Sequence, residues 1–553
     1  MIAAMDKKAV LLFVLVGALF IGTGFLESWN TTLGIFNMAL VSAIMALGVN
    51  MQWGYAGLFN VGVMGFVALG GLAAVLVGMP PVGDAWAAGG LQVLLGLVLG
   101  AATIVLAILI YTKMPPTRAR IWAMIAVLVL GFVIFRAVFD SGVALVEAVN
   151  PAAEGYLGGL GLPVLVAWPV GGVLAAGAAW VIGKTALGLR SDYLAIATLG
   201  VSEIIIAVLK NEDWLTRGVK NVTGIPRPVP YEVELQASAW FTDLSARLGV
   251  DPIAFSSVTV KLCYAGLFII VLLILIWFSE KAWNSPWGRM MRAIRDNEVS
   301  AAAMGKDVKS RHLQVFVLGS AVVGMAGAMM ATLDSQLVPS SYQPLRFTFL
   351  VWVMVIVGGS GNNWGAVLGG FLIWWLWVMV EPIGYDALVF LTSGMAEGNW
   401  LRDHLLESAA HTRLLTMGLV LLLVLRFSPR GLIPDAGGTW VLPRTIGLQK
   451  AMGAALFADR ITARQADEWG MIWQAVPDDE FATLWQARAT QLAQGPTAAF
   501  KRVKAAMQAS FGHSLAEQLV LEGQLQGECG RTRDFKEGVL AFQEKRPARF
   551  EGR

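Results

Sequence analysis

Apolar runs of the roughly 17–25 residues that a bilayer-spanning helix needs recur along most of this chain, with polar and charged positions gathered in the gaps. They fall at residues 9–25, 31–50, 61–78, 91–111, 121–139, 164–183, 193–210, 259–278, 313–333, 347–358, 363–381 and 412–426. The pattern predicts an all-α polytopic membrane protein with about 10–12 transmembrane or re-entrant helices. The first run follows Lys7 and Lys8 and has no small-x-small cleavage signal after it, so it reads as an uncleaved helix. The pattern then stops. Charged residues number 28 among the 117 from Gly437 to Arg553, against 51 among the 436 before them. That step predicts a membrane domain, 1–430, followed by a soluble segment, 431–553.

Three places interrupt the helical reading. Gly54, Tyr55, Gly57, Asn60 and Gly62 break one apolar stretch, and Gly359 and Gly361 lie in a second break, 358–365. At the third, Gly188 to Tyr193, Asp192 stands near a helix start, where a negative charge complements the helix dipole; Thr198 follows in the same helix. Irregular backbone in a bilayer is tolerated only where it is buried in protein or lines a cavity. These residues are therefore candidates for a solute path. Close helix packing is the alternative reading of the same glycines, and 358–365 is also open to being a loop.

Loop charge orients the chain. With the N-terminus inside, Lys113, Arg118, Arg120, Lys184, Arg190, Arg426 and Arg430 all fall inside, and Asp140, Glu147 and Glu154 fall outside. Two long extracytoplasmic segments, 211–258 and 382–411, are then available as a docking surface. Composition agrees with burial in lipid: 56% of residues are hydrophobic and 14% charged, with mean hydropathy +0.65. A soluble domain carries about 25% charged residues. The net charge of +3 favours no partner, and no basic–aromatic patch suggests nucleic acid. Cys263 and Cys529 are too isolated for a disulfide framework, and the four histidines form no metal-ligand spacing.

One hydrophilic island stands out. Trp287 to Gly327 opens with Arg289, Arg292, Arg295, Lys306, Lys309 and Arg311 crowded together, which makes it a cytoplasmic loop. Arg295, Asp296 and Glu298 offer charge pairs, Ala301 to Ala303 permit close backbone approach, and Gly305 follows. Such a surface suits contact with another protein, although a basic solvated loop would also satisfy the charge pattern.

The island resembles the coupling loop of ATP-binding-cassette permeases, in which a Glu-Ala-Ala-type sequence followed by glycine docks into the ATPase subunit. Here Glu298, Ala301, Ala302 and Gly305 carry the match, with Arg295 and Asp296 beside them. The blocks RAIRDNEVSAAAMG, SDYLAIATLGVSEII, TGIPRP and NWGAVLGG together resemble branched-chain amino acid permeases of the LivM-like type, over about residues 30–434. The resemblance implies an inner-membrane importer subunit, with N-terminus and C-terminal tail cytoplasmic. It also implies two ATPase subunits, a second, LivH-like permease, a periplasmic amino-acid-binding protein and surrounding lipid. ATP would be held by the partners and no cofactor by this chain. Departures at Leu58, Asn60 and Val63 leave the solute open. Two apparent nucleotide motifs are decoys: Ala178 stands where the first glycine of a phosphate loop ending in Gly183-Lys184-Thr185 belongs, and Gly359-Ser360-Gly361 is followed by Trp364, not glycine.

The tail is similar to the C-terminal part of the enoyl-CoA hydratase/isomerase (crotonase) superfamily, with phenylacetate-pathway isomerases nearest. The matching blocks are ALFADRITARQADEWGMIWQAV, LAQGPTAAFKRVK and EGVLAFQEKRPARFEGR. The resemblance implies a mainly α segment of an incomplete crotonase fold, from which both oxyanion-hole segments are missing. Asp435 matches a proton-shuttling acid, though Pro-Asp-Ala-Gly-Gly is also a good turn. Phe542 and Lys545 match positions near coenzyme A. An enzyme lacking its oxyanion donors loses about 10²–10³ in rate for each one. The expectation is an inactive tail whose apolar face, with Trp469, Ile472 and Trp473, is left uncovered. A membrane-anchored enzyme acting on acyl-CoA thioesters is the rival reading.

Overall fold

Helix length and hydropathy decide the architecture of the larger part of the molecule. The computed structural model describes residues 7–152, 154–188, 191–296, 298–396, 399–428, 445–447, 449–451, 454, 461–510 and 513–552. It divides into two compact units, Met1–Ala436 and Gly437–Arg553. The first is helical almost throughout: α1 Lys7–Leu26, α2 Trp29–Ala56, α3 Val63–Gly78, α4 Leu91–Lys113, α5 Arg118–Glu147, α6 Ala167–Ala186, α7 Ser191–Asn211 and α8 Pro252–Asn284. There follow α9 Pro286–Asp296, α10 Glu298–Ala303, α11 Val308–Asp334, α12 Pro344–Gly358, α13 Asn363–Leu391 and α14 Thr412–Phe427. Among the described residues nine helices are long and apolar enough to cross a membrane. A tenth is gained if Trp400–Glu407 and α14 form one bent span, and α3 and α12 are shorter apolar helices.

Burial sorts these helices into a centre and a rim. The spans of α2 and α11 are 78% and 72% buried, whereas those at Gly83–Lys113 and Arg118–Glu147 are 17% and 0% buried. The last two carry the highest and one of the next-highest hydropathies, 2.9 and 2.5, as lipid-facing surfaces must. The central helices approach closely through small residues, the usual device where no hydrophobic effect drives helices together. A Cβ on Gly48 of α2 would lie 2.7 Å from the carbonyl oxygen of Gly319 in α11. At one end of the bundle a two-stranded antiparallel sheet pairs Val222 with Leu337 and Thr223 with Gln336.

Several helices run past the ends that hydropathy marks. Asp140 and Glu147, expected in a loop, lie within α5, where Asp140 forms an i,i+4 ion pair with Arg136 at 2.9 Å. The stretch 252–258 opens α8, capped by the Asp251 carboxylate accepting from the Ala254 N–H. Helix α13 continues through Pro382 to Leu391. The two segments expected to be long are shortened accordingly, and the first contains short helices at Glu232–Ala237 and Ala239–Leu248. The Gly183-Lys184-Thr185 decoy ends α6, where the Thr185 hydroxyl donates to the Ile182 carbonyl at 2.9 Å.

The second unit holds α15 Ala463–Glu468, α16 Asp478–Ala493, α17 Thr497–Ala509, α18 Leu515–Gly530 and α19 Arg533–Gln543. Helices α15 and α18 begin in capping boxes at Thr462 and Ser514. Its core is thin. Among the described residues of this unit only Ile446, Ala451, Asp534 and Ala541 are buried.

Candidate functional site

Helix α2 ends because Gly57 takes a left-handed conformation, φ 68°, that returns its amide and that of Leu58 to the carbonyls of Trp53 and Gln52. The chain then runs without regular structure to Gly62. A second break, between α12 and α13, turns at Gly359 and Gly361, with φ of 115° and 87°. The two breaks meet. Asn50 accepts from the Gly361 N–H at 2.8 Å and donates to Asn363 Oδ1 at 3.2 Å. The Tyr55 hydroxyl donates to the same Asn363 oxygen at 2.7 Å, and Asn363 Nδ2 donates to Glu280 Oε1 at 3.0 Å. A Cβ on Gly54 would fall against the Gly361 amide and 2.5 Å from Asn50 Oδ1.

On its other side the first break is held by α7, α11 and α12. Gln52 donates to the Phe316 carbonyl and to Ser320 Oγ, at 3.0 and 2.9 Å, and accepts from Asn60 Nδ2 at 2.9 Å. Asn60 in turn accepts from the Gly62 N–H, and its carbonyl accepts from Trp352 Nε1 at 2.9 Å. Thr198 accepts from the Val61 N–H at 3.1 Å, and Thr348 from the Met64 N–H at 3.4 Å. Asn50, Gln52, Tyr55, Asn60, Thr198 and Asn363 are all at most 2% exposed. Buried polar groups satisfied in this way rigidify and specify one arrangement; half-satisfied, they would be costly.

The structure thus brings together Gly54, Tyr55, Gly57, Asn60, Gly62, Thr198, Gly359 and Gly361, but as a closed plug. Asp192 stands at the second position of α7, about two turns below Thr198. The close-packing reading of the glycines holds locally. Gly54 and Gly361 approach each other so that polar groups can meet, while Gly358 and Gly365 are a packing contact, the Gly365 carbonyl lying where a Gly358 side chain would go. The residues not singled out from the sequence are Asn50, Gln52, Glu280, Trp352 and Asn363. The available signal was amides embedded in apolar runs, since an intramembrane polar residue needs a partner.

The charged island joins this plug directly. Arg295 Nη1 donates to the Gly54 carbonyl at 2.7 Å. The Tyr55 ring packs against Trp283 and Trp287, centroids 4.5 and 6.5 Å away, and Arg292 lies over Trp283. The island is two short helices, α9 and α10, with Asp296 the last residue of the first and Glu298 the first of the second. Met291, Ile294 and Ala301 are buried. Arg289, Glu298, Ala302, Met304, Gly305 and Lys306 are exposed. Gly305 has φ 75°, a conformation a side chain resists, and with nothing near its Cβ position. One face of the island is therefore fixed to the bundle and the other is a small-residue surface flanked by charge.

In the second unit, Trp473 and Phe542 are 90% and 85% exposed and Ile472 is 43% exposed. Trp469 departs from the expectation: it is partly buried, with Lys450 over its ring. An open cavity of about 910 Å³ is lined by Lys501, Arg502, Arg531 and Arg533, and neither Phe542 nor Lys545 belongs to its walls. Asp435 lies outside the described residues. Buried Asp534 accepts from the Glu551 and Gly552 amides, tying the C-terminal stretch to α19. Arg546 donates to Glu537 in a bidentate contact that holds the Glu537 carboxyl down at about 2. A depressed carboxyl stabilises the fold above its unfolded value, about 4.3, and that contribution is lost as pH falls toward the folded value. Circular dichroism at 222 nm of the full chain should therefore show the Glu537→Gln variant less sensitive than the parent to acidification between about pH 4 and 2; equal sensitivity contradicts the assignment.

Known proteins give the two units different kin. Residues 126–425 match the family described as branched-chain amino acid transport system / permease component, and residues 423–553 match enoyl-CoA hydratase/isomerase. The high-affinity branched-chain amino acid transport permease LivM of Escherichia coli is 29% identical over 219 residues, 38% of this chain and 50% of the relative. A probable enoyl-CoA hydratase of Rhodobacter capsulatus is 56% identical over 127 residues, 23% of this chain and 49% of the relative. The 1,2-epoxyphenylacetyl-CoA isomerase of Escherichia coli is 46% identical over 130 residues, 24% of this chain and 50% of the relative. The chain spans about half the length of each of these relatives. Because the permease match covers more than half of its residues, the chain belongs to the branched-chain amino acid transport permease family, with an enoyl-CoA hydratase/isomerase segment joined at its C-terminal end.

Proposed function

We propose that this protein is the membrane permease subunit of an ATP-binding-cassette importer in the inner membrane, carrying branched-chain or related amino acids. ATP is hydrolysed by two partner subunits docked on the island 287–311. A second permease completes the pathway, and a periplasmic binding protein delivers substrate at the opposite end; the N-terminus and tail are cytoplasmic. The observation that carries this reading is the Arg295–Gly54 hydrogen bond, which links a protein-docking surface to a plug that must open for a solute to pass. Rocking α9 and α10 would pull on the α2 break, and a plug of satisfied hydrogen bonds has discrete arrangements, as a gate requires.

The test is ATP-dependent uptake of radiolabelled L-leucine into vesicles containing the full chain and the subunits that copurify with it. Leucine accumulation only with ATP inside the compartment bearing the island supports the reading, and accumulation indifferent to ATP overturns it. The rival, an acyl-CoA enzyme, needs oxyanion donors from the half of the hydratase fold that the matched segment does not span. The full chain is expected to hydrate crotonyl-CoA no faster than buffer, with Asp435→Ala changing nothing. Turnover abolished by that substitution would establish the rival instead.

A further inference from the structure

Helix α8 turns into α9 through a tight elbow. Only Ser285 separates the two helices, and its hydroxyl accepts from the Gly288 N–H at 3.3 Å. A Cβ on Gly288 would lie 2.2 Å from the Trp283 carbonyl oxygen, so the corner has no room for a side chain there. The elbow has an arm on each side. After it, Arg295 reaches the Gly54 carbonyl near the end of α2. Before it, Glu280 stands in the last two turns of α8, within an apolar span where a carboxylate is costly and marks function by default. Its Oε1 accepts from Asn363 Nδ2 at 3.0 Å, and the Ser279 carbonyl of the same turn lies 3.3 Å from the Tyr55 hydroxyl.

Hydrogen-bond polarity makes this contact more than one bond. An ionised carboxylate only accepts, whereas an amide has one accepting and one donating end. At the other end of the chain of contacts, the Gly361 N–H only donates, and Asn50 Oδ1 accepts from it. Asn50 must then turn its Nδ2 to Asn363. Asn363 in turn must present Oδ1 to Asn50 and Tyr55, and Nδ2 to Glu280. Between a fixed donor and a fixed acceptor the two buried amides have a single arrangement, and it is the one that draws the two breaks together. We propose that Glu280 is a second coupling contact, a positioning residue that holds the break before α13 as Arg295 holds the break after α2. The proposal rests on the importer reading and extends it. A partner that tilts α9 moves the end of α8 with it through the elbow, and the two arms pull on both breaks at once. Arg295 acting alone would leave the second break in place.

The test follows access to the plug in full-length protein in lipid nanodiscs, carrying Cys263→Ser, Cys529→Ser and a single new thiol from Val63→Cys. Val63 opens α3 beside the first break and is 0% exposed. The rate of modification by a cationic methanethiosulfonate is compared with that background at about pH 8.5, where two facing carboxylates are least able to share a proton. Asn363→Asp sets such a pair face to face, and Glu280→Ala removes the acceptor. Each is expected to speed labelling at least fivefold. Adding Glu280→Gln to Asn363→Asp exchanges donor and acceptor across this one contact. The glutamine amide donates to the new carboxylate, whose other oxygen still accepts from Asn50 and Tyr55. Labelling of that pair should return to within twofold of the background, a rescue that a merely space-filling Glu280 would not give. Acceleration below fivefold in Glu280→Ala, or a pair labelled as fast as Asn363→Asp alone, overturns the assignment. Where Asn363→Asp does not insert, Glu280→Ala decides by the same margin. Absence of ATP-driven leucine uptake by the parent in the vesicle experiment, with this labelling pattern intact, would count against the importer reading alone.

Discussion

Assemblies in which Glu298→Arg is combined with Gly305→Arg are expected to lose ATP-driven leucine uptake about 100-fold while inserting into the membrane normally. Both positions are exposed, and neither contributes to the buried face made by Met291, Ile294 and Ala301. Gly305 adopts φ 75°, so a side chain there costs about 1–3 kcal/mol locally. The larger effect is at the interface. Two guanidinium groups on a surface that approaches through Ala302 and Gly305 would block contact and add cations beside Arg289 and Lys306. Misplaced like charge at an interface costs several kcal/mol, and about 3 kcal/mol is a factor of about 100. Uptake within threefold of the parent, at equal membrane abundance, would remove the coupling role from the island.

Gly54→Ala should be nearly as damaging for a different reason. The new methyl would lie 2.5 Å from Asn50 Oδ1 and 2.8 Å from Gly361 Cα, both in well-packed surroundings. Overpacking of this kind costs about 1–3 kcal/mol. Each buried polar group left without its partner adds about 1–3 kcal/mol. Displacing Gly361 breaks its bond to Asn50 and disturbs the Asn363 oxygen shared by Asn50 and Tyr55. Uptake should fall to background, with a thermal unfolding midpoint lowered by several degrees. Gly57→Ala offers a contrast, since its Cβ would meet only Arg295 Cγ at 3.8 Å and the cost is the left-handed backbone. A Gly54→Ala protein as stable and active as Gly57→Ala would contradict the plug.

How much of this was legible in the sequence differs by level. The spans were, because a helix in lipid must be continuously apolar and the chain has no other way to satisfy its backbone. Their ends were not: Asp140 extends α5 by pairing with Arg136, and Asp251 starts α8 ahead of its hydrophobic run. The breaks at Gly54 to Gly62 and Gly359 to Gly361 were visible as glycines in apolar stretches. Their mutual contact was not, since Asn50 and Asn363 are 313 residues apart and each reads alone as a stray amide. The island announced itself by charge, but the anchoring of Arg295 on a carbonyl of α2 has no local signature. In the tail, likeness to half of a hydratase foretold an uncovered apolar surface; Ile472 and Trp473 are exposed, while Trp469 is partly buried.

Contact between the island and an ATPase is the claim on which the rest depends, and site-directed crosslinking measures it most directly. Protein lacking Cys263 and Cys529 would carry Ala302→Cys on the exposed face of α10 or, as a control, Trp240→Cys on the exposed helix Ala239–Leu248. After purification from its host, a short bismaleimide should join the first variant to a copurifying ATP-binding-cassette subunit, with a yield that changes when ATP is added. The control should give no such adduct. An absent adduct at position 302, or one formed equally at position 240, would contradict the account.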